Sequence, residues 1–390
     1  MIYDNLSKNA HIITPPPQFN ITFVKQPKVE VIDSSGEEFL IKFFDHKTNK
    51  NIYETVLKGG MWGAALKQYY IKWRIEIYDS KRNKIKEHIY DCSNKKVYIH
   101  LSSKAVGDTL CWFPYLEKFR EIHKCNLTVS TFHNEWFESL YPEIEFVTPG
   151  TNVTGLYAMY EIGWFFTPED KFNPDRHPKD PKLFPLQQTA SDILGLPFEN
   201  LKPQIQLYSS PTPITGKYIA IGPHASAHAK YWNHPGGWQS LIDWAIAKGY
   251  KVVNCSQEQL GDEWHDSKLG GTLTNVIDKT GCSLEEVFSI IKGAQAFVGV
   301  SSGLSWISWA TNTPTILISG FTEPFMENPE FYRIYTPEGF CRGCQTTERL
   351  DPGDWEWCPF HKNTSRHFEC TKSITSQMVI DNLKKTLNIY

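Results

Sequence analysis

The 390 residues are 41% hydrophobic, 14% aromatic and 21% charged, a globular composition that excludes a disordered tail, a collagen-like repeat and a small disulfide-stapled scaffold. Forty Lys and Arg against 43 Asp and Glu leave a formal net charge of −3. That balance argues against a nucleic-acid or membrane-surface binder, which concentrates positive charge to displace phosphate counterions.

Residues 1–19, with Pro15-Pro-Pro17 and no periodicity, read as an extended arm. Met1-Ile-Tyr-Asp-Asn-Leu-Ser-Lys has no basic region before an apolar run, so no secretory signal is expected. No segment approaches the roughly 20 apolar residues that span a bilayer. The expected location is cytoplasmic, and the six Asn-x-Ser/Thr matches, such as Asn20-Ile-Thr and Asn126-Leu-Thr, are then accidental.

Residues 20–96 alternate apolar and polar positions in Ile21–Val24, Phe39–Phe44, Tyr69–Tyr78 and Lys84–Tyr90, separated by turn clusters such as Asp33–Gly36, His46–Asn49 and Asp79–Asn83. Period-two alternation with regular turns predicts an antiparallel β-domain. Lacking any tight polar constellation, it reads as a docking or assembly module. Residues 97–210 change texture: strand Val97–Leu101, helix Leu110–His123, strands Asn126–Ser130 and Glu143–Thr148, then Pro-rich Pro168–Pro185 and a short helix near Gln187–Gly195. A Pro-bounded link around Pro203–Pro213 leads into residues 211–336. There strands Lys217–Ile221, Tyr250–Cys255, Ala296–Val300 and Thr315–Ser319 alternate with helices Trp238–Lys248, Ser283–Gly293 and Gly303–Ala310. Such alternation predicts two Rossmann-like α/β domains. Facing one another, they place a ligand cleft outside the carboxyl ends of their strands. Residues 337–372 form a cysteine-rich finger and 373–390 a C-terminal helix.

Three strand-to-helix junctions carry chemistry. In Leu101-Ser-Ser-Lys-Ala-Val-Gly107-Asp108-Thr109, Gly107 permits close backbone approach and Asp108 stands at a helix start, as an N-cap or as a carboxylate projecting into the cleft. In Ile221-Gly-Pro-His224-Ala-Ser-Ala-His-Ala-Lys230-Tyr-Trp232 a small-residue loop carries one lysine, either solvated or a point charge for phosphate. In Val298-Gly-Val-Ser301-Ser302-Gly303-Leu304-Ser305-Trp306 the backbone N–H groups of a helix start are offered to an anion. It is not a P-loop, yet the two loops and the lysine together suggest a diphosphate site. Trp232, Trp238, Trp306 and Trp309 read first as core and second as stacking platforms.

Of nine cysteines, Cys92, Cys111, Cys125, Cys255 and Cys282 read as buried thiols. Cys341-Arg-Gly-Cys344, Cys358 and Cys370 have the spacing of a closed four-thiolate metal site, with Gly343 suiting the first knuckle. Zinc and mononuclear iron both suit such a set, and a redox pair is the alternative. His361 and His367 are spare candidates. The flanking Glu348, Asp351, Asp354 and Glu356 argue against a zinc-ribbon nucleic-acid binder. No Asp-x-Asp clamp lies in the cleft segments, so the chemistry there is expected to need no metal.

Gly107-Asp108 after a strand, with Pro114 in the following helix, resembles the opening motif of the ADP-heptose-dependent heptosyltransferases of lipopolysaccharide core. The third junction is similar to their late motif, but Ser301, Ser302 and Trp306 stand where they carry Asp-Thr-Gly and a following His. The Ser-Ser-Gly-Leu-Ser-Trp variant, the N-terminal β-domain and the cysteine cluster resemble the bacterial autotransporter heptosyltransferases, which modify protein. The resemblance covers residue 20 to the C-terminus. It implies an α/β, GT-B-type fold of two facing Rossmann-like domains with an antiparallel β-domain and a four-cysteine metal finger. It also implies ADP-glycero-manno-heptose as donor and serine hydroxyls of an autotransporter adhesin as acceptor. In that reading Asp108 is the general base, and Gly107, Thr109, Lys230, Ser301, Ser302, Gly303, Leu304 and Ser305 hold the donor. Cys341, Cys344, Cys358 and Cys370 hold one structural iron per chain, with zinc as the alternative. A large ring-like homo-oligomer, with a dodecamer as the candidate, is implied as well. A lipopolysaccharide-directed heptosyltransferase and a non-catalytic assembly protein are the rival readings.

Overall fold

The computed structural model describes residues 17–32, 36–169, 171–206 and 214–389. Most of the expected arm, the turn residues 33–35 and part of the 203–213 link fall outside them. The chain divides into two compact units: the described residues up to Lys67 with Ile71–Asp91, and Gln68–Tyr70 with the chain from Cys92 onward.

The first unit is antiparallel β-structure, as its alternation predicts. Strands β1 (Phe19–Val24), β2 (Lys28–Val31) and β5 (Trp62–Ala64) pair in the order β1-β2-β5. Strands β3 (Phe39–Asp45), β4 (Lys50–Leu57), β6 (Trp73–Tyr78) and β7 (Lys84–Ile89) form the order β4-β3-β6-β7. Phe39, Ile41 and Phe43 of β3 face Ile75 and Ile77 of β6 in a buried layer. The expected strand from Tyr69 begins only at Trp73, because the N–H groups of Gln68 and Tyr70 donate to Asp175 and Ile193 carbonyls instead of a ladder.

In the second unit the alternation of strand and helix produces two parallel sheets. The first has order β10-β9-β8-β11, from β8 (Lys96–Leu101), β9 (Asn126–Ser130), β10 (Glu145–Phe146) and β11 (Ala158–Ile162). Helix α1 (Val106–His123) starts four residues earlier than its apolar run suggests, so Asp108 lies within the first turn and Ala105 occupies the cap position. The expected strand Glu143–Thr148 shrinks to β10. Helix α2 (Gln188–Ile193) follows the Pro-rich stretch.

The second sheet has order β14-β13-β12-β15-β16-β17, from β12 (Tyr218–Gly222), β13 (Lys251–Asn254), β14 (Ile277–Asp278), β15 (Phe297–Val300), β16 (Thr315–Ile318) and β17 (Tyr332–Ile334). Every residue of β12, β15 and β16 is buried, as parallel strands covered on both faces require. Helices α3 (Gly237–Ala247), α4 (Glu263–Leu269), α5 (Leu284–Gly293) and α6 (Gly303–Ala310) fill the crossovers. After the finger, α7 (Glu369–Lys372) and α8 (Ser376–Leu387) follow, and α8 puts Val379, Ile380 and Leu383 into the same core as Trp232 and Trp238.

Candidate functional site

Each sheet of the second unit has a strand from which the chain departs in both directions. Strand β8 has β9 on one side and β11 on the other, and β12 lies between β13 and β15. Crevices open at the carboxyl ends of such strands. The loop after β8 leads to Asp108, that after β12 to Lys230, and that after β15 to Ser301. All three line one cavity of about 910 Å³, together with Gly107, Ser302, Gly303 and Leu304.

Glycine sets the closeness of these loops. A Cβ on Gly107 would stand 2.7 Å from Trp306 Cδ1, and one on Gly303 3.1 Å from Val106 Cβ. The N-termini of α1 and α6 therefore meet closely: a side chain at 107 would force Trp306 to shift, and one at 303 would crowd Val106. Gly107→Val is expected to lower stability by about 1–3 kcal/mol through overpacking, read by thermal melting.

Burial pushes the half-buried Asp108 carboxyl up to about 6, against the opposing hydrogen bond from Ser103 and the positive charge of Lys230. The same burial draws the Lys230 ammonium below its ordinary value, while Asp108 and Glu327 work to hold its proton. Lys230 Nζ donates to Ser226 Oγ at 3.2 Å and lies 5.7 Å from the Phe321 ring centroid. At the start of α6, Ser302 makes no capping bond and its Oγ has no partner, so first-turn N–H groups remain for an anion. Thr109 and Ser305 are fully buried, with hydroxyls donating to the Ala105 and Ser302 carbonyls. Their side chains serve their own helices. Trp232, Trp238 and Trp309 are core residues, whereas Trp306 is both buried and part of the cavity wall.

Glu327 was not evident from sequence. It lines the cavity at 5% exposure, accepts hydrogen bonds from Ser301 Oγ (2.9 Å) and Thr322 Oγ1 (2.6 Å), and lies 3.7 Å from Arg333 Nη1. Arg333 in turn donates to the Ser319 and Thr322 carbonyls. This buried pair fixes the loop below α6.

In the finger, Gly343 takes a left-handed conformation inside the Cys341–Cys344 knuckle, and a Cβ on Gly320 would stand 2.6 Å from Cys370 Cβ. Burial pushes the Cys370 thiol up to about 12, with Cys341 and Cys358 adding to the shift, and raises Cys344 with contributions from the other three. The four thiols are thus electrostatic neighbours, and their donor chemistry fits a thiophilic metal that displaces their protons on binding. Among the described residues no three His, Cys, Asp or Glu side chains are assembled as a metal-holding group. His361 and His367 face Glu369 and the Glu356 carbonyl. The finger also braces the loop carrying Lys230 and helix α4: Glu356 Oε1 lies 2.9 Å from His228 Nδ1 and 3.0 Å from Lys268 Nζ, and Gln345 reaches the cavity wall. Of the other five cysteines, Cys92, Cys111, Cys125 and Cys255 are buried and Cys282 is half-buried.

Residues 186–335 match glycosyltransferase family 9 (heptosyltransferase). The autotransporter heptosyltransferase Aah of Escherichia coli is 33% identical over 365 residues, covering 90% of this chain and 90% of that protein. A crystal structure of TibC from enterotoxigenic Escherichia coli, described as an iron-containing dodecameric glycosyltransferase, superposes with a TM-score of 0.84 at 28% identity over 96% of both chains. BimC of Burkholderia thailandensis, 28% identical over 90% of this chain and 81% of its own length, is described as an inactive autotransporter heptosyltransferase. With that similarity running nearly end to end, and the close junction of α1 and α6 at the ends of two parallel sheets, the chain belongs to the autotransporter heptosyltransferases.

Proposed function

We propose that the protein transfers heptose from ADP-glycero-manno-heptose to serine hydroxyls of an autotransporter adhesin in the cytoplasm. A relative of that class, TibC, has been crystallised with ADP-D-beta-D-heptose, and among the described residues no helix is long and apolar enough to cross a membrane. In the reaction the serine oxygen bonds to the anomeric carbon, the bond from that carbon to the β-phosphate oxygen breaks, and the serine proton passes to Asp108. ADP leaves with the bonding electrons. The observation that carries this reading is the pairing of Asp108, its carboxyl raised to about 6, with Lys230 in one cavity. A carboxylate with a raised pKa is a stronger base than an ordinary aspartate. Lys230 and the first-turn N–H groups of α6 offset the charge that develops on the diphosphate. Because BimC is described as inactive, family membership alone does not establish turnover. Co-expression with an adhesin, followed by intact mass measurement, tests the assignment. Increments of one heptosyl unit per modified site are expected, and an unmodified adhesin would refute it.

Cys341, Cys344, Cys358 and Cys370 are the proposed ligands of one structural iron per chain, in line with the iron-containing TibC. Bound there, the metal would cross-link the finger itself, whose Glu356 meets His228 in the loop carrying Lys230, and transfer itself would need no metal. Elemental analysis should give about one iron per chain, lost in Cys344→Ser. Zinc in its place would identify the alternative. A homo-oligomer, up to the dodecamer described for TibC, is proposed on the same likeness.

A further inference from the structure

His224 leaves the end of β12 and lines the cavity, yet it is only 2% exposed. Neither of its ring nitrogens has a hydrogen-bond partner. Buried polar side chains are normally satisfied, so an imidazole sealed in the wall of a cavity with both nitrogens free implies a partner that enters the cavity. The ring is held by packing, with Tyr231 and His265 edge-on at centroid distances of 5.7 and 5.5 Å. Its own backbone N–H donates to Ser256 Oγ at 3.4 Å, which ties it to the loop after β13. That loop lies on the opposite side of β12 from β15 and the α6 start. A nucleotide whose phosphates rest at α6 and Lys230, and whose nucleoside runs toward the loop after β13, would bring its ribose to His224.

We propose that His224 is a further donor contact, hydrogen-bonding a ribose hydroxyl of the ADP moiety. The inference rests on the reading that this cavity takes an ADP-sugar. Burial pulls the imidazole down to about 4, so near neutral pH it presents one N–H and one lone pair. A hydroxyl, itself donor and acceptor, matches that pair better than a charged phosphate does.

Calorimetric titration with ADP, 2′-deoxy-ADP and 3′-deoxy-ADP tests the contact in wild type, His224→Ala and His224→Asn, with melting temperature as the folding control. His224→Ala is expected to weaken ADP about three- to tenfold, with partial retention in His224→Asn. One deoxy analogue should bind His224→Ala and wild type alike, since the shared hydrogen bond is already gone. ADP affinity unchanged in folded variants, or an equal loss for ADP and both deoxy analogues, would overturn the contact. Wild-type protein that fails to bind ADP would overturn the donor reading itself, and this inference with it.

Discussion

Asp108→Asn is expected to keep wild-type affinity for ADP and to lose heptose transfer by about 10²- to 10⁴-fold, the usual contribution of general-base catalysis. The substitution preserves shape and removes only the ability to take a proton. Because the carboxylate is held in surroundings that disfavour its charge, the amide should melt no lower than wild type, which separates loss of chemistry from loss of fold. The pH profile supplies an independent check. Asp108 must be unprotonated to act, and its carboxyl is raised to about 6, so wild-type kcat/KM should fall as pH drops through about 6 and level off above it. Residual activity in Asp108→Asn should lack that limb. Full transfer by the variant would remove Asp108 from the reaction.

Lys230→Ala should weaken ADP binding about 10- to 100-fold, as expected for losing a charge-assisted contact to phosphate. A second effect follows from the coupling of the two groups. The Lys230 charge holds the Asp108 carboxyl lower than burial alone would. With it gone, that carboxyl rises further and the acidic limb of kcat/KM moves to higher pH. Calorimetry of this one variant reads the phosphate contact and its pH profile reads the charge coupling to Asp108; unchanged ADP affinity would remove Lys230 from the diphosphate site.

The parallel sheets were legible because their strands must be covered on both faces. Ile219–Ile221, Phe297–Val300 and Thr315–Ile318 are nearly continuous apolar runs bounded by turn residues, and they form strands close to those bounds. Tyr69–Tyr78 shows the limit of such reading: its first residues alternate like a strand, but Tyr70 spends its N–H on the Ile193 carbonyl, as Gln68 just before it does on Asp175, a choice set by residues far along the chain. Short edge strands such as β14 and β17 left too few residues to show a period. At the site, Gly107-Asp108 stood out because a glycine beside a carboxylate at a strand end has few structural uses, and Trp306 proves to be the neighbour that requires the glycine. Glu327 carried no local signal. Its character comes from Ser301, Thr322 and Arg333 converging on it across the β15–β17 region. His224 was equally silent, since only the fold shows that its nitrogens are unpaired inside a cavity. The four finger cysteines were visible by spacing, whereas their common electrostatic environment emerges only from the folded finger.

The most direct measurement is product stoichiometry: purified protein incubated with ADP-heptose and an adhesin passenger, with free ADP and protein-bound heptose quantified together. ADP released mole for mole with heptose gained by serine residues, both abolished in Asp108→Asn, is the expected result. ADP released without sugar on the passenger, or sugar transferred undiminished by the variant, would contradict a leaving diphosphate held at α6 opposite a proton-accepting Asp108.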